Sequence, residues 1–488
     1  MIKHSEIAEF FELDAVALVE RIRQNDVQPE ALLQEAARRA QKHNTALNAL
    51  SDIDEATGEK LLAETDRAAA LYGVPTLIKD LGAEAVDFHT NSGSHLFART
   101  KVSQNSSIYD RMRQAGLVPF GRTTSPEFGV GPVTEAGFYG APTRNPWNSN
   151  HTSGGSSGGS GAAVAAGIVP VAHGSDGGGS VRIPASCCGL VGFKPTRARL
   201  PDGPFHGEGW AGMAIDGFLT RSLKDTAVLL DSCAGPDLGA PYFAPPLKDS
   251  HVAALENRPE RLKILYLDRD FAGNPIHQEC ARAVALVADA LKNLGHDVHP
   301  WEFKIGVEVQ KMMQAWTKIV ATGVHLALRS KIGADNPALY PMDGVTRGAF
   351  EYGKSLCGAD YLDAVGVIHG FGRTMADVFR HFDVLLSPTL AQPPAAVGRY
   401  KPTNQDFVDY RNGADGVFAY SPYTAVFNAS GQPAISLPTH WTADDLPIGI
   451  HLAAKFGADE LLFNLSSQIE QNLPWAQKQQ QLIRRLNN

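Results

Sequence analysis

Two runs rich in glycine and serine hold the residues of this sequence best suited to chemistry. The first run spans residues 152–161, and the second spans residues 174–180, which read GSDGGGS. A nucleophilic serine needs a base that is neutral at the working pH and donors for the oxyanion that its attack creates. Consecutive glycine N–H groups, which no side chain shields, can fold into an anion-binding nest. The second run therefore predicts an acyl-transfer site with Ser180 as the nucleophile.

Lys79 is the candidate base for this serine. It stands near the end of residues 73–80, GVPTLIKD, whose apolar run predicts a short buried strand. Burial lowers the pKa of a lysine from its usual value of about 10.4, because a low dielectric disfavours the charged form. A neutral lysine can accept the serine proton, and serine–lysine pairs are an accepted variant of the catalytic triad.

Two other interpretations of the runs compete with an acyl-transfer site, and a third possibility is a different form of that site. A flexible linker would lead to a domain boundary, but a helix candidate at 162–166 and a strand candidate at 168–172 follow at once. A phosphate loop fits poorly, since the runs contain no Gly-Lys-Ser/Thr and no G-x-G-x-x-G that opens a helix. Residues 154–158 formally match the G-x-S-x-G elbow of α/β hydrolases, but polar residues precede them where an elbow needs a strand.

Composition excludes several classes of function. The chain has 488 residues, of which 43% are hydrophobic and 20% charged, with a net charge of -8. This balance argues against a nucleic-acid partner or an anionic membrane surface, because both require a basic face. No run of about 18 apolar residues occurs, residues 1–14 lack the apolar region of a signal peptide, and five sparse cysteines do not form a disulfide framework. We therefore expect a cytoplasmic protein without a membrane span.

The elements that must position these residues alternate between strands and helices. Strand patterns occur at residues 73–80, 117–120, 168–172, 190–193, 263–267, 384–386, 434–437 and 447–452. Helix patterns occur at residues 106–115, 162–166, 223–233, 277–293, 306–330, 360–381 and 458–472. This alternation predicts an α/β fold with a large central mixed β-sheet covered by helices on both faces. Residues 236–380 are poorer in glycine and strands, which indicates a helical insertion that shapes a substrate pocket.

These motifs resemble the amidase signature family. Residues 73–80 resemble its lysine strand, residues 154–160 its Gly-Gly-Ser-Ser-Gly-Gly core, and residues 174–184 its nucleophile loop, and the spacing from Ser156 to Ser180 is that of the family. Further similar segments are residues 188–196, 220–222, 383–389 and 428–434. The resemblance implies a single amidase domain over residues 1–488, with a catalytic core at about 60–235 and 380–475 and the insertion at about 236–380.

The family's catalytic machinery, carried onto matching positions, is a Ser–cisSer–Lys triad. Ser180 would be the nucleophile, and Ser156, after a cis Gly155–Ser156 peptide bond, would relay its proton to Lys79. The oxyanion donors implied by the resemblance are the N–H groups of Gly177, Gly178, Gly179 and Ser180. The residues expected to support the site are Gly155, Ser175, Asp176 and Arg182.

Some positions depart from the usual family pattern. The family commonly has threonine or isoleucine where Gly177 stands and threonine where Ser175 stands, although Ser175 keeps a hydroxyl group. The pattern of residues 175–180 and the stretch 207–212 look more like the nylon-oligomer cyclic-dimer hydrolases and broad amidases than the tRNA-dependent amidotransferase A subunit. Gly177 therefore marks an oxyanion loop of unusual composition.

The resemblance implies an amidohydrolase that cleaves C–N amide bonds of a small-molecule substrate without cofactor or metal. Esters, carbamates and oligomeric or cyclic amides are further substrate classes, and a homodimer is the implied assembly. Two alternatives stay open: a glutamine-hydrolysing amidotransferase A-type subunit, and a catalytically silent binding protein on the same fold. The residues that shape the substrate pocket are expected in 200–215, 306–345 and 420–430.

Overall fold

A computed structural model describes residues 4–302, 307–333 and 339–487 and contains one mixed β-sheet. Its eleven strands among these residues are β1 Leu50–Ile53, β2 Val74–Lys79, β3 Leu117–Thr123, β4 Val171–Asp176, β5 Val191–Lys194, β6 Ile215–Thr220, β7 Lys263–Tyr266, β8 Asp297–Pro300, β9 Val384–Pro388, β10 Ala434–Trp441 and β11 Pro447–Ala454. Across the sheet they follow the order β1-β3-β2-β4-β6-β5-β10-β11-β9-β7-β8.

Helices make up about half of the remaining described chain. They are α1 His4–Phe10, α2 Ala15–Arg23, α3 Pro29–Leu47, α4 Glu55–Ala63, α5 Ser107–Gln114, α6 Gly158–Ala165, α7 Arg182–Cys188, α8 Leu223–Cys233, α9 His251–Ala254, α10 Gln278–Asn293, α11 Val309–Ile332, α12 Gly344–Ser355, α13 Gly358–Val378, α14 Phe407–Asn412, α15 Val417–Tyr420, α16 Thr424–Ser430, α17 Asp459–Asn472 and α18 Ala476–Asn487.

Both faces of the sheet are covered, as the sequence predicts. Successive residues of a strand point to opposite faces, and in β2 Leu77 packs into one hydrophobic core while Val74 and Ile78 pack into another. The first core includes buried residues of α6, α7, α11, α13 and α16, and the second includes those of α5, α8, α10 and α17. The central strands are therefore buried on both sides, which gives the site a rigid base.

The position of β2 brings the two glycine–serine runs to one edge of the sheet. It lies between β3 and β4 and runs parallel to both, and all six of its residues are buried. Because parallel strands end at the same edge, Lys79 at the end of β2 lies near Ser175 and Asp176 at the end of β4. The predicted base and the nucleophile loop thus lie close together because β2 and β4 are neighbouring strands of the sheet.

The first glycine–serine run differs from its predicted form. Helix α6 begins at Gly158, four residues before the expected start, although glycine is a poor helix former. A Cβ atom at Gly159 would lie 2.4 Å from the backbone nitrogen of Thr124 and 2.5 Å from the carbonyl oxygen of Ala49. The glycines therefore allow α6 to pack directly on neighbouring backbone.

The segment 236–380 is not helical throughout. It contributes β7 and β8, which extend one end of the central sheet, together with the helices from α9 to α13. Positions 303–306 and 334–338 of this segment lie outside the described residues. The division of the chain into a core and a substrate-shaping insertion stays a prediction.

The helices and the cysteines bear on the expectations of no membrane span and no disulfide framework. Among the described residues, no helix is long and apolar enough to cross a membrane. All five cysteines are free, and Cys357 is the one that is exposed. The cysteines thus form no disulfide framework.

Candidate active site

Lys79, Ser156 and Ser175 meet at the carboxyl end of β2. The Lys79 amine nitrogen lies 2.6 Å from Ser156 Oγ and 3.0 Å from Ser175 Oγ. Ser156 follows a cis peptide bond from Gly155, and a Cβ atom at Gly155 would lie 2.7 Å from the backbone nitrogen of Val133. The base and the bridging serine predicted from the sequence are therefore in direct contact, and Gly155 is required by close backbone packing.

Burial decides the charge of Lys79. The side chain has no solvent exposure, and burial lowers its pKa to about 7, against the opposing charges of Asp216 and Asp176. Next to it, His173 Nδ1 lies 3.3 Å from the Lys79 backbone nitrogen and accepts its hydrogen, so Nε2 carries the hydrogen that points to Asp216, 3.1 Å away. His173 is thus held through both of its ring nitrogens. A neutral Lys79 is accessible near neutral pH.

The nucleophile loop connects β4 to α7 and is organised by Asp176. The Asp176 carboxylate accepts hydrogen bonds from the N–H groups of Gly179 and Val181, at 2.8 and 3.2 Å. It also forms a bidentate ion pair with the Arg182 guanidinium, in which Nε lies 3.0 Å from Oδ2 and Nη2 lies 2.8 Å from Oδ1. Neither side chain is exposed. Burial alone would raise the pKa of Asp176, but the charge and hydrogen bonds of Arg182 hold it well below its usual range.

Gly179 differs from the other three predicted oxyanion donors. Its N–H donates to Asp176, so it is already occupied, and its φ of 125° favours glycine. Within the described residues, no hydrogen bond takes the N–H groups of Gly177, Gly178 and Ser180. Three of the four predicted donors therefore remain available, and the fourth serves to fix the loop.

Ser180 is the one member of the predicted triad that is partly exposed. Its carbonyl oxygen accepts a hydrogen bond of 3.2 Å from the Ser157 N–H, which ties the second run to the first. Among the described residues, hydrogen bonds join Lys79 to Ser156, but none reaches the Ser180 hydroxyl. This backbone hydrogen bond therefore ties Ser180, the predicted nucleophile, to the residue that follows Ser156.

Asn428 on α16 supports the loop from behind, a role that sequence reasoning did not assign. Its amide nitrogen donates to the carbonyl and carboxylate oxygens of Asp176, both at 2.9 Å, and to Met213 O at 3.0 Å. Its amide oxygen accepts from Arg182 at 2.7 Å. The segment 428–434 was recognised only by resemblance, because a side-chain contact between residues so distant in the chain leaves no local pattern.

Trp316 on α11 orients the first peptide of the loop. The indole N–H donates to the Gly177 carbonyl oxygen at 3.0 Å, and Thr424 donates to the Gly178 carbonyl oxygen at 2.6 Å. The C=O and N–H of a planar trans peptide point in opposite directions. Holding Gly177 O against Trp316 therefore turns the N–H of Gly178, one of the predicted oxyanion donors, away from Trp316.

The unusual glycine at position 177 is explained by Trp210. A Cβ atom at Gly177 would lie 2.5 Å from the Trp210 ring, which in turn packs edge-on against Trp316 at 5.4 Å between ring centroids. Trp210 itself has a positive φ of 52°. In this chain the Trp210 indole thus fills the space beside Gly177, where the usual family pattern has a larger loop residue.

Exchanging Gly177 for threonine is expected to lower kcat/KM by about 10- to 100-fold, because the new side chain must displace Trp210 and with it the loop, and one lost oxyanion donor costs about 10²–10³ in rate. Steady-state hydrolysis of a neutral aryl amide measures the effect. The double variant Gly177→Thr/Trp210→Ala is expected to recover part of the loss. Two losses that simply add would contradict the steric explanation.

A narrow pocket opens beside Ser180. It has about 20 Å³ of free space, which is room for a water-sized group. Its lining residues are Gly129, Gly131, Pro132, Gly178, Ser180, Ile183, Trp210, Trp316, Arg411, Val417, Phe418 and Ser421. The predicted segments 200–215, 306–345 and 420–430 each contribute one residue, while 129–132 and 411–418 were missed.

No metal centre is formed by the described part of the chain. No group of three or more histidine, cysteine, aspartate or glutamate side chains there is placed to hold an ion.

Comparisons with known proteins agree with this geometry. A sequence model of the Amidase family matches residues 31–463. The chain is 34% identical to a 6-aminohexanoate-cyclic-dimer hydrolase of Paenarthrobacter ureafaciens, over 96% of this chain and 97% of the relative. It is also 34% identical to a putative amidase, AmiC, of Mycobacterium tuberculosis, over 95% of each chain.

Solved structures extend the comparison to the fold. The structure of 6-aminohexanoate cyclic dimer hydrolase complexed with substrate superposes with a TM-score of 0.89 and 30% identity, over 97% of this chain and 99% of the other. A bacterial aryl acylamidase of the amidase signature family gives a TM-score of 0.84 and 26% identity, over 96% and 98%. The resemblance seen in the sequence is confirmed: the chain belongs to the amidase signature family and is an enzyme that cleaves amide C–N bonds.

Proposed function

We propose that the enzyme hydrolyses amides through an acyl-enzyme on Ser180, with Ser156 as the bridging residue and Lys79 as the base. The observation that carries this proposal is the 2.6 Å contact between the buried Lys79 amine and Ser156 Oγ, next to the loop that holds Ser180. A neutral amine offers one lone pair and two N–H donors. The lone pair can face Ser156 while an N–H donates to Ser175, 3.0 Å away.

The proton moves in two linked transfers. As Ser180 Oγ attacks the amide carbon, its proton passes to Ser156 Oγ, and the Ser156 proton passes to Lys79. The resulting ammonium then returns a proton by the same path to the leaving amine, and the C–N bond breaks. A water molecule then attacks the acyl carbon and gives a proton to the same relay. The bond from the acyl carbon to Ser180 Oγ breaks, the relay returns this proton to Ser180 Oγ, and the free acid leaves.

The developing oxyanion is held by backbone N–H groups of the nucleophile loop. Gly177, Gly178 and Ser180 carry the donors that are not already used, and each donor of this kind contributes about 10²–10³ in rate in comparable sites. Asp176 and Arg182 touch no substrate in this proposal, and they act as positioning residues that keep the loop in shape.

The activity is expected to rise with pH about tenfold per unit up to about pH 7 and then to level off. Burial lowers the pKa of Lys79 to about 7, so the amine is protonated and inactive as a base below that pH and neutral above it. Initial rates of a neutral aryl amide from pH 5 to 9 measure the profile. Lys79→Met is expected to lose the rising limb together with most of the activity.

Lys194 provides the matched control for that experiment. It is also fully buried, burial lowers its pKa to about 7 as well, and its amine donates to the adjacent Pro195 carbonyl oxygen. Lys194→Met is expected to keep the rising limb. A profile that is flat in the parent enzyme, or one that is lost with Lys194 and kept without Lys79, would contradict the assignment of the base.

The substrate class follows from the relatives. We propose small-molecule amides, among them cyclic or oligomeric amides and aryl amides, because similar proteins are a 6-aminohexanoate-cyclic-dimer hydrolase and an aryl acylamidase. Hydrolysis of a panel of linear, cyclic and aryl amides tests this, with esters and carbamates as additional members. The amidotransferase subunit and the silent binding protein are not favoured. Glutaminase activity together with a co-purifying partner would be the evidence for the amidotransferase subunit.

Two further properties stay predictions from the sequence. A homodimer is tested by light scattering of the purified protein, and a location in the cytoplasm is tested by fractionation of the source cells.

A further inference from the structure

Arg411 is a buried cation in the wall of the pocket that holds Ser180. It lies on α14, lines the pocket together with Ser180 and Gly178, and only 4% of the residue is exposed. Burial lowers its pKa to about 10, against the influence of Tyr410, so the guanidinium is charged at neutral pH. The site therefore presents a full positive charge beside the nucleophile.

No protein partner satisfies this charge within the described residues. The Arg411 side chain has no ion pair or hydrogen bond there, and its Nε is buried without a partner. Other buried arginines differ: Arg39 and Arg182 pair with carboxylates, and Arg122 and Arg221 donate to backbone carbonyl oxygens. Burying a guanidinium without a counter-ion is costly, which indicates that the partner is supplied by a ligand.

Aromatic rings hold the guanidinium in place but leave its donors unused. The Arg411 carbon Cζ lies 4.6 Å from the ring centroid of Trp316, 5.5 Å from that of Phe407 and 5.9 Å from those of Tyr410 and Phe418. Cation–π contacts of this kind position the charge and exclude water. They do not accept the hydrogen bonds of its five N–H groups, whose planar fork matches a carboxylate.

We propose that Arg411 binds a carboxylate of the substrate, so that the preferred substrates are amides that also carry a carboxylate group. This inference rests on the proposed hydrolysis at Ser180 and adds to it the chemical class of the substrate. The carboxylate can belong to the acyl part of the amide or to the amine part, and the test separates these two sources.

The test compares matched pairs of amides in the intact enzyme. For the acyl part, the mono-4-nitroanilide of glutaric acid is compared with pentanoyl 4-nitroanilide; for the amine part, 4-acetamidobenzoate is compared with acetanilide. We expect the acid of one pair to have a kcat/KM about 10- to 100-fold above its neutral match. Arg411→Met is expected to remove this preference, so that kcat/KM becomes equal for the acid and its neutral match.

Two variants and one measurement on the parent enzyme make the result decisive. Arg411→Lys keeps the charge but loses the fork, so an intermediate preference is expected. Arg399→Met is the matched control, since Arg399 also lies over an aromatic ring, that of Tyr400, but is partly exposed. In the parent enzyme, glutarate is expected to inhibit hydrolysis of the neutral anilide competitively, and glutaramide is not.

Equal kcat/KM within both pairs, or equal inhibition by glutarate and glutaramide, would overturn the inference while leaving hydrolysis at Ser180 intact. A preference that survives in Arg411→Met would also overturn it. Absence of turnover of every amide in both pairs by the parent enzyme would overturn the proposed function, and this inference with it.

Discussion

Ser180→Ala is expected to lower kcat for a neutral aryl amide by about 10⁴-fold or more, because it removes the proposed nucleophile and triad residues act as a unit. Substrate affinity should change little, since the alanine leaves the pocket wall in place. Active-site titration with a fluorophosphonate and mass spectrometry of the labelled peptide measure the same loss directly.

Ser103→Ala is the control for this variant, because Ser103 is exposed and remote in sequence from both glycine–serine runs. It should keep the parent rate and the parent labelling. Near-native turnover by Ser180→Ala, or labelling of a different serine, would assign the nucleophile elsewhere.

Asp176→Ala is expected to lower the free energy of unfolding by about 3–5 kcal/mol, because it leaves the buried Arg182 charge without its partner. The same change frees the N–H groups of Gly179 and Val181, so kcat should fall as well. The urea midpoint, followed by tryptophan fluorescence, and the kcat of the folded fraction measure the two effects separately.

An exposed ion pair gives the comparison for this second variant. Asp445→Ala removes the partner of Lys478, 2.7 Å away, and both side chains are more than a third exposed. Such pairs contribute about 0–1 kcal/mol, so its urea midpoint should stay close to that of the parent. Equal shifts for Asp176→Ala and Asp445→Ala would show that the Asp176–Arg182 pair does not anchor the loop.

Local patterns predicted much of the fold. Helix α8 runs from Leu223 to Cys233 as expected, since Ser222 caps its first turn and its buried residues follow the helical period. Strands β1, β6 and β8 were missed because they are four to six residues long and mix polar with apolar residues. A strand of that kind is defined by its neighbours in the sheet rather than by its own composition.

The same limit applies to the active site: residues in local motifs could be predicted, and residues brought together only by folding could not. Lys79 and Ser156 could be proposed from the sequence because each sits in a distinctive local motif, and the structure places them in contact. The occupied N–H of Gly179 could not be foreseen, since it depends on how the Asp176 side chain turns back on its own loop. Asn428 and Arg411 lie far along the chain, and only the folded protein brings them to the loop and the pocket.

Trp316 limits how this enzyme can be re-engineered. One face of its indole packs near the Arg411 cation, and its N–H holds the Gly177 carbonyl oxygen. A substitution of Trp316 that widens the pocket also removes the hydrogen bond to the nucleophile loop. We therefore expect a wider substrate range to be accompanied by a lower kcat. Libraries aimed at new substrates are better directed at Val417, which lines the same pocket from α15.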